Sequence, residues 1–401
     1  MHYWVNHYLA PPDIPGGSRH AEFAALLRQR GVPIHLVGSD FRVTTGDYFR
    51  RRSAFDLAPH HDAVAGTPTA WLYAPPYEEN DWRRIANMVG FGAETFRYLM
   101  GVPVTRDSVF IGSSPHLFAA LAAERAAALR GVRFVFEVRD LWPDALIEML
   151  GRSSPALDAM GLIADHLYRR AAALICLARG TIEKLKTRGV PAEKMVFVPN
   201  SVDPGIWRDP APFDGPWPIP EGKAVALYAG AHGPANALDL LVEAARALQH
   251  QGEERLHIVL LGKGVEKERL VAQAEGLRHI SFLDPVPKAA MPGVLQRASI
   301  GVLSLRDVPV FRYGISPNKL FEYMGAGLPV VSNVQGECAE IVDHAGCGRV
   351  VVPESGEAFA AGMIELLDHP ERTTMGLSGR TYVETYHNRQ TLVELLASVL
   401  R

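Results

Sequence analysis

The segment densest in chemistry runs Ser316-Pro317-Asn318-Lys319-Leu320-Phe321-Glu322-Tyr323-Met324-Gly325-Ala326-Gly327-Leu328-Pro329-Val330-Val331. It reads as a loop, a short helix, a glycine turn and a buried strand. Pro317 suits the first helical position, where its missing N–H costs nothing. The N–H groups of that first turn, with Lys319 beside them, suit an anion such as a diphosphate. Glu322 falls on the second turn, where a carboxylate can accept hydrogen bonds from sugar hydroxyls. The segment thus offers a phosphate end and a ribose end. Ser316, Pro317, Asn318 and Glu322 are its candidate nucleotide-binding residues, and Lys319 is the candidate that stabilises charge.

A second cluster is Glu137-Val138-Arg139-Asp140-Leu141-Trp142-Pro143-Asp144. The planar guanidinium of Arg139 suits a departing diphosphate. Asp140 or Asp144 suits the hydroxyls of a sugar or an acceptor. The competing reading is a structural salt bridge beside a Trp142-Pro143 packing corner. Gly16-Gly17 end the first strand-to-helix connection, and Gly230 follows the first strand of the second half. Glycine there lets a ligand approach the backbone, although an ordinary turn explains it equally. Lys263, in Leu261-Gly262-Lys263-Gly264, is a phosphate candidate or a solvated loop lysine. Gly262 and Gly264 lack the third glycine of a dinucleotide fingerprint.

These residues need a scaffold, and the chain alternates short apolar runs with helical patterns. Strands are expected near 3–8, 33–37, 108–112, 133–138, 173–177 and 195–198. In the second half they are expected near 224–228, 257–261, 280–283, 300–304, 329–332 and 348–352. Helical patterns fall between, including 18–30, 115–130, 156–170, 237–249, 265–275, 288–297, 318–324 and 356–367. Such alternation predicts two parallel sheets covered on both faces, hence an α/β protein of two Rossmann-like domains. Ligands then bind beyond the carboxyl ends of the strands, in a cleft where two such domains face each other. Five prolines in the sixteen residues 203–218 exclude a helix interior or central strand there. The expected domains are 1–203 and 223–385, joined by a linker at 204–222 and followed by a terminal helix at 386–401.

Composition agrees with this division. At 401 residues two domains are the default, and 48% hydrophobic with 21% charged residues describes a globular chain. A net charge of −3 argues against general nucleic-acid affinity. Cys176, Cys338 and Cys347 show no metal spacing, so a reduced, cytoplasmic protein is the simplest reading. The start, Met1-His2-Tyr3-Trp4-Val5-Asn6, has no signal-peptide pattern. No apolar run approaches the ~20 residues of a membrane span. There is no Asp-x-Asp and no His/Cys/carboxylate cluster with metal spacing, so no metal is expected.

The segment at 316–331 resembles the nucleotide-sugar motif of glycosyltransferase family 4, retaining enzymes of GT-B fold. The 137–144 segment, Pro12-Asp13-Ile14-Pro15-Gly16-Gly17 and Tyr228-Ala229-Gly230 are similar to landmarks of the branch that assembles O-antigen, capsule and colanic acid. They occur in family order along nearly the whole chain. The resemblance implies an acceptor-binding first domain and a nucleotide-sugar-binding second domain, with the terminal helix crossing back to the first. It implies transfer from a UDP or GDP sugar to an undecaprenyl-diphosphate-linked acceptor, at the cytoplasmic face of the inner membrane. It places the base in the loop around Val286. The chain also departs from the family pattern. Gly314 stands where relatives have a first Glu, and Ala231 and Asn236 stand where many have Arg and Lys. Lys263, Lys319, Arg312 and Arg139 are the cations left to hold the diphosphate. Two other readings stay open: a nucleotide-sugar 2-epimerase of the same fold, using Asp140, Glu137 and His116, and a degenerate non-catalytic relative.

Residues 81–100 form one further helical pattern. Trp82, Ile85, Val89, Gly92, Phe96 and Leu99 recur at three- and four-residue steps as one apolar stripe, with Arg83, Arg84 and Arg97 off it. Such a helix suits an anionic bilayer surface carrying a lipid-linked acceptor; an ordinary core-facing helix has the same pattern.

Overall fold

The computed structural model describes residues 1–11, 19–42, 46–51, 56–78 and 82–401. Two compact units emerge: Met1–Pro199 with Gln390–Arg401, and Asn200–Arg389. The first carries strands β1 (His2–Asn6), β2 (Ile34–Ser39), β3 (Phe41–Arg42), β4 (Asp47–Tyr48), β5 (His60–Val64), β6 (Thr67–Leu72), β7 (Val109–Ser113), β8 (Arg133–Val138), β9 (Ala173–Cys176) and β10 (Met195–Phe197). Eight of these form a sheet in the order β10-β9-β8-β7-β1-β2-β6-β5.

This sheet is not purely parallel. β5 runs antiparallel to β6 at its edge, and β3 and β4 make a separate antiparallel ribbon. The β5–β6 turn is Ala65-Gly66, both at positive φ (49° and 73°), as a type I′ hairpin requires. Alanine in the first of those positions hides the usual Asn-Gly signal.

The second unit carries β11 (Ala224–Ala229), β12 (Leu256–Leu261), β13 (Ile280–Leu283), β14 (Ile300–Leu303), β15 (Val330–Ser332) and β16 (Gly348–Val350). Their order is β13-β12-β11-β14-β15-β16, every pairing parallel. This is the doubly wound dinucleotide-fold order, which reverses between the first strand and the fourth. Its four inner strands are almost wholly buried, as apolar runs such as Leu256–Leu261 require when helices cover both faces, while the edge strands β13 and β16 are mostly half-buried.

Several stretches differ from the sequence expectation. Residues 204–222 belong to the second unit; they include a short helix at Gly205–Arg208, and Trp207 is buried in that unit's core. The helix expected over 288–297 shortens to a 3₁₀ turn and Met291–Leu295. Helices also occupy Asp144–Leu150, Arg179–Thr187, Glu337–Ala345 and Arg372–Tyr386. The helix Arg389–Leu400 sends Leu392, Val393, Leu396 and Leu400 into the first unit's core, against Trp4, Phe23 and Leu27.

Candidate functional site

In the second unit, the helix Asn318–Gly325 follows β14. Leu320, Phe321, Tyr323 and Met324 anchor it in the core. Tyr323 packs on Gly301 of β14, and its hydroxyl accepts from the Ala229 N–H at 2.9 Å. With those positions buried, the helical period leaves Asn318, Lys319 and Glu322 together on the other face. Pro317 is the residue before the helix, with extended ψ of 119°, rather than its first helical residue.

Lys319 reaches across the point where strand order reverses. Its Nζ donates to Tyr228 Oη at 2.9 Å and to Asn236 Oδ1 at 3.0 Å, and lies 4.5 Å from the centre of the Tyr228 ring. Burial lowers the ammonium to about 8, with the Glu322 carboxylate pulling the other way. Gly230, at φ +158°, makes room: a Cβ there would stand 2.3 Å from Lys319 Cε. Gly262, at φ +150°, has the Gly230 carbonyl 1.9 Å from where a Cβ would stand. The loops after β11 and β12 therefore run backbone to backbone, with His232 N–H donating to the Lys263 carbonyl at 2.9 Å.

The other sequence candidates in this unit are spread around that point. Ser316 Oγ accepts from the Asn200 N–H at 3.1 Å, and its carbonyl accepts from the Asn200 amide. Asn318 and Lys263 are exposed, and Val286 packs at the margin of the core. The Arg312 guanidinium forms a bidentate pair with Asp307, at 2.9 and 2.7 Å from Nη2 to its two oxygens. Of the cations considered, Lys319 is the one brought to the switch point. It stands against Asn236, a position singled out above for its missing lysine.

In the first unit, Arg139 and Asp140 follow β8, pinned from the neighbouring β7 by a residue the sequence did not single out. Ser114 Oγ accepts from the N–H groups of Arg139 (2.8 Å) and Asp140 (3.1 Å), and donates to the Asp140 carbonyl (3.1 Å). Burial raises the Asp140 carboxyl and Arg139 partly offsets it. Glu137, within β8, is fully buried. Arg19 Nε donates to it at 3.0 Å, Ser113 Oγ at 2.7 Å, and His20 Nε2 lies at 2.7 Å. Burial opposes its ionisation, but His20, Arg19 and Arg139 outweigh that and hold the carboxyl below its usual range. Glu137 is thus part of a buried network with Arg19, His20 and Ser113. Asp144 is paired with Arg188 and lines a cleft of about 740 Å³ with Tyr168, Asp165 and Lys194. Gly16 and Gly17 lie outside the described residues.

His116 completes a second polar group. Its Nε2 pairs with Tyr8 Oη, and its ring lies 4.1 Å from that of His7 and 6.5 Å from that of Trp142. Burial drives His116 well below the usual imidazole range and His7 down to about 3, so both are neutral. Arg84, placed on the membrane side by the sequence reading, turns inward instead. It hydrogen-bonds the Tyr8 hydroxyl, and its charge acts on His7 and His116.

Arg84 belongs to the helix Trp82–Gly101, whose apolar stripe divides. Gly92 and Leu99 are buried with Asn87, Met88, Phe91 and Thr95. Trp82 is 69% exposed, Ile85 and Val89 47% each, and Phe96 is half-buried. Arg83 lies over the Trp82 ring, and Arg97 pairs with Glu94. No helix among the described residues is long and apolar enough to cross a membrane.

Comparison with known proteins identifies the class. Residues 16–201 match the family model described as glycosyl transferase 4-like domain, and residues 223–369 the model described as glycosyl transferases group 1. The chain belongs to this glycosyltransferase family. It is 26% identical over 356 residues to WcaI of Escherichia coli (strain K12), a putative colanic acid biosynthesis glycosyl transferase, covering 84% of each chain. Another protein of that strain, WcaL, a putative colanic acid biosynthesis glycosyltransferase, is 24% identical over 338 residues, covering 81% of this chain and 79% of its own. Among solved structures, Anabaena HepE in complex with UDP superposes with a TM-score of 0.69 at 14% identity, covering 100% of this chain and 99% of that one. WaaG, a glycosyltransferase involved in lipopolysaccharide biosynthesis, gives 0.67 at 16%, with the same coverage. The fold is GT-B.

Proposed function

We propose that this glycosyltransferase moves a sugar from a nucleoside diphosphate donor to a lipid-diphosphate-linked acceptor during bacterial surface-polysaccharide assembly, with retention at the anomeric carbon. The observation that carries the donor side is Lys319. Its ammonium is fixed by Tyr228 and Asn236 at the strand-order reversal of a dinucleotide-type sheet, next to a helix start. A diphosphate there meets one cation and the N–H groups of the first helical turn, a preorganised form of electrostatic stabilisation. Glu322, on the same helix face, is the ribose ligand. HepE was solved in complex with UDP and with UDP-glucose, which supports UDP as the first nucleotide to test. The colanic acid proteins above support the pathway class. Asp140, whose backbone Ser114 holds, is assigned to sugar hydroxyls.

The exposed stripe Trp82, Ile85 and Val89, with Arg83 beside it, supports a peripheral position on an anionic membrane. Calorimetry with UDP and GDP tests the donor reading. Lys319→Gln and Glu322→Gln each remove charge-assisted contacts of about 1.5–3 kcal/mol, so affinity should fall about ten- to a hundredfold while thermal stability persists. Unchanged affinity in both variants would sink the assignment. Turnover should also survive excess EDTA, because side chains meet the diphosphate charge; loss restored by Mg²⁺ would contradict that.

A further inference from the structure

We infer that the first unit holds a second anion site, formed by Tyr8, Arg84, His116 and Arg139, and that it takes the diphosphate of an acceptor whose apolar tail follows Trp82, Ile85 and Val89. This rests on the proposed transfer to a lipid-linked acceptor and names the residues that would recognise it.

Charge is the first argument. Tyr8 follows β1, His116 follows β7 and Arg139 follows β8, so three strand ends converge where Arg84 arrives from the helix. Among the described residues, Tyr8 feels both guanidinium groups, Arg84 and Arg139, and one carboxylate, Asp140. The neighbouring imidazoles of His7 and His116 and the Tyr77 phenol add no negative charge. The balance favours an anion.

Unused hydrogen-bonding capacity is the second. Among the described residues, His116 Nδ1 and Arg139 Nε are buried without a hydrogen-bond partner. Buried polar atoms rarely stay so unless a ligand or water satisfies them. Planar guanidinium groups suit phosphate oxygens.

The third argument is the helix itself. Arg84 turns inward while Trp82 and Ile85, two residues before it and one after, are exposed, and Val89 extends the same outer stripe one turn on. Polar and apolar recognition thus lie within one helical turn. A ligand with an anionic head and an apolar tail matches both; a soluble sugar phosphate matches only the first.

The test is binding of farnesyl diphosphate and of inorganic pyrophosphate to the full chain, followed by Trp fluorescence, with UDP binding measured in parallel. Arg84→Gln should weaken farnesyl diphosphate about tenfold or more and leave UDP unchanged. Lys319→Gln should do the reverse. Arg83→Gln, on the exposed side, should change farnesyl diphosphate affinity by no more than about twofold. Pyrophosphate should bind the same pocket more weakly than the prenyl compound. Tyr8→Phe gives a milder probe that keeps the ring, and it should also weaken farnesyl diphosphate selectively. The inference fails if Arg84→Gln and Tyr8→Phe bind farnesyl diphosphate like the unmodified chain, if Lys319→Gln alone abolishes that binding, or if pyrophosphate binds as tightly. Absence of UDP and GDP binding to the unmodified chain would instead remove the donor reading and leave these comparisons intact.

Discussion

At the scale of single residues, the second unit turns on one ammonium in a tight place. Lys319 is buried enough to sit at about 8 rather than at a solvated lysine's value. A dianionic ligand beside it would raise that value again. At pH 8 UDP binding should therefore take up protons, visible as a dependence of calorimetric heat on the buffer's ionisation enthalpy. Affinity should decline as pH rises beyond about 8, where the unliganded lysine loses its charge. Heat independent of buffer would remove Lys319 from the anion site. Gly230→Ala gives an independent check. The new methyl would displace Lys319 Cε, so UDP affinity should fall about as far as in Lys319→Gln. Part of this site was legible in sequence. The Pro-Asn-Lys and Glu322 spacing put Asn318, Lys319 and Glu322 on one helix face, where the structure also has them. What sequence did not show was the long-range pairing, because Tyr228 and Asn236 lie 91 and 83 residues from Lys319. Ser114 was hidden likewise, since its partners Arg139 and Asp140 are 25 and 26 residues away on the next strand's loop.

At the scale of elements, the helix Trp82–Gly101 shows what periodicity can and cannot decide. Spacing gave one apolar stripe; it did not give the phase of that stripe relative to the core. The buried face includes Asn87, Thr95 and Gly92, and a Cβ on Gly92 would stand 3.1 Å from the Phe118 carbonyl. Close approach, not hydrophobicity alone, set the orientation. Two variants separate the faces. Trp82→Ser with Val89→Ser should lower co-sedimentation with anionic vesicles and leave the melting temperature nearly unchanged. Phe91→Ala, in the core, should cost about 3–5 kcal/mol of stability. Vesicle binding unaffected by the first pair would end the membrane reading. The edge hairpin β5–β6 escaped sequence reading for a different reason. His60, His61 and Asp62 leave β5 without an apolar run, and the turn lacks the expected Asn-Gly.

At the scale of the molecule, the two α/β units and nearly all parallel strands were readable because buried parallel strands are written as continuous apolar runs. The described parts of the polar, proline-bearing region 40–78 were not, since the pairings of β3 with β4 and of β5 with β6 are set by tertiary contacts. Loss of the buried network at Glu137 should be felt throughout the first unit. Arg19 also donates to the carbonyls of Val198 (2.7 Å) and Pro199 (2.6 Å). Arg19→Met would strip Glu137 of its guanidinium partner, leaving His20 and Ser113, and should cost up to about 3–5 kcal/mol, read by denaturant unfolding. A much smaller loss would mean the carboxyl takes up a proton at little expense.

The helix Arg389–Leu400 gives the chain a birth-order problem. The first unit's core needs Leu392, Val393, Leu396 and Leu400, yet the ribosome makes these residues only after Asn200–Arg389. At about 5–20 residues per second, the earlier part waits roughly 10–40 s with an open apolar face. During that interval the nascent first unit should engage chaperones, and the second unit can finish folding before it. A chain stopped after Asn388 should keep UDP binding yet aggregate through its first unit, while a separate peptide of residues 389–401 should restore solubility when added during refolding. Equal solubility of the shortened and full chains would show that the first core closes without its last helix.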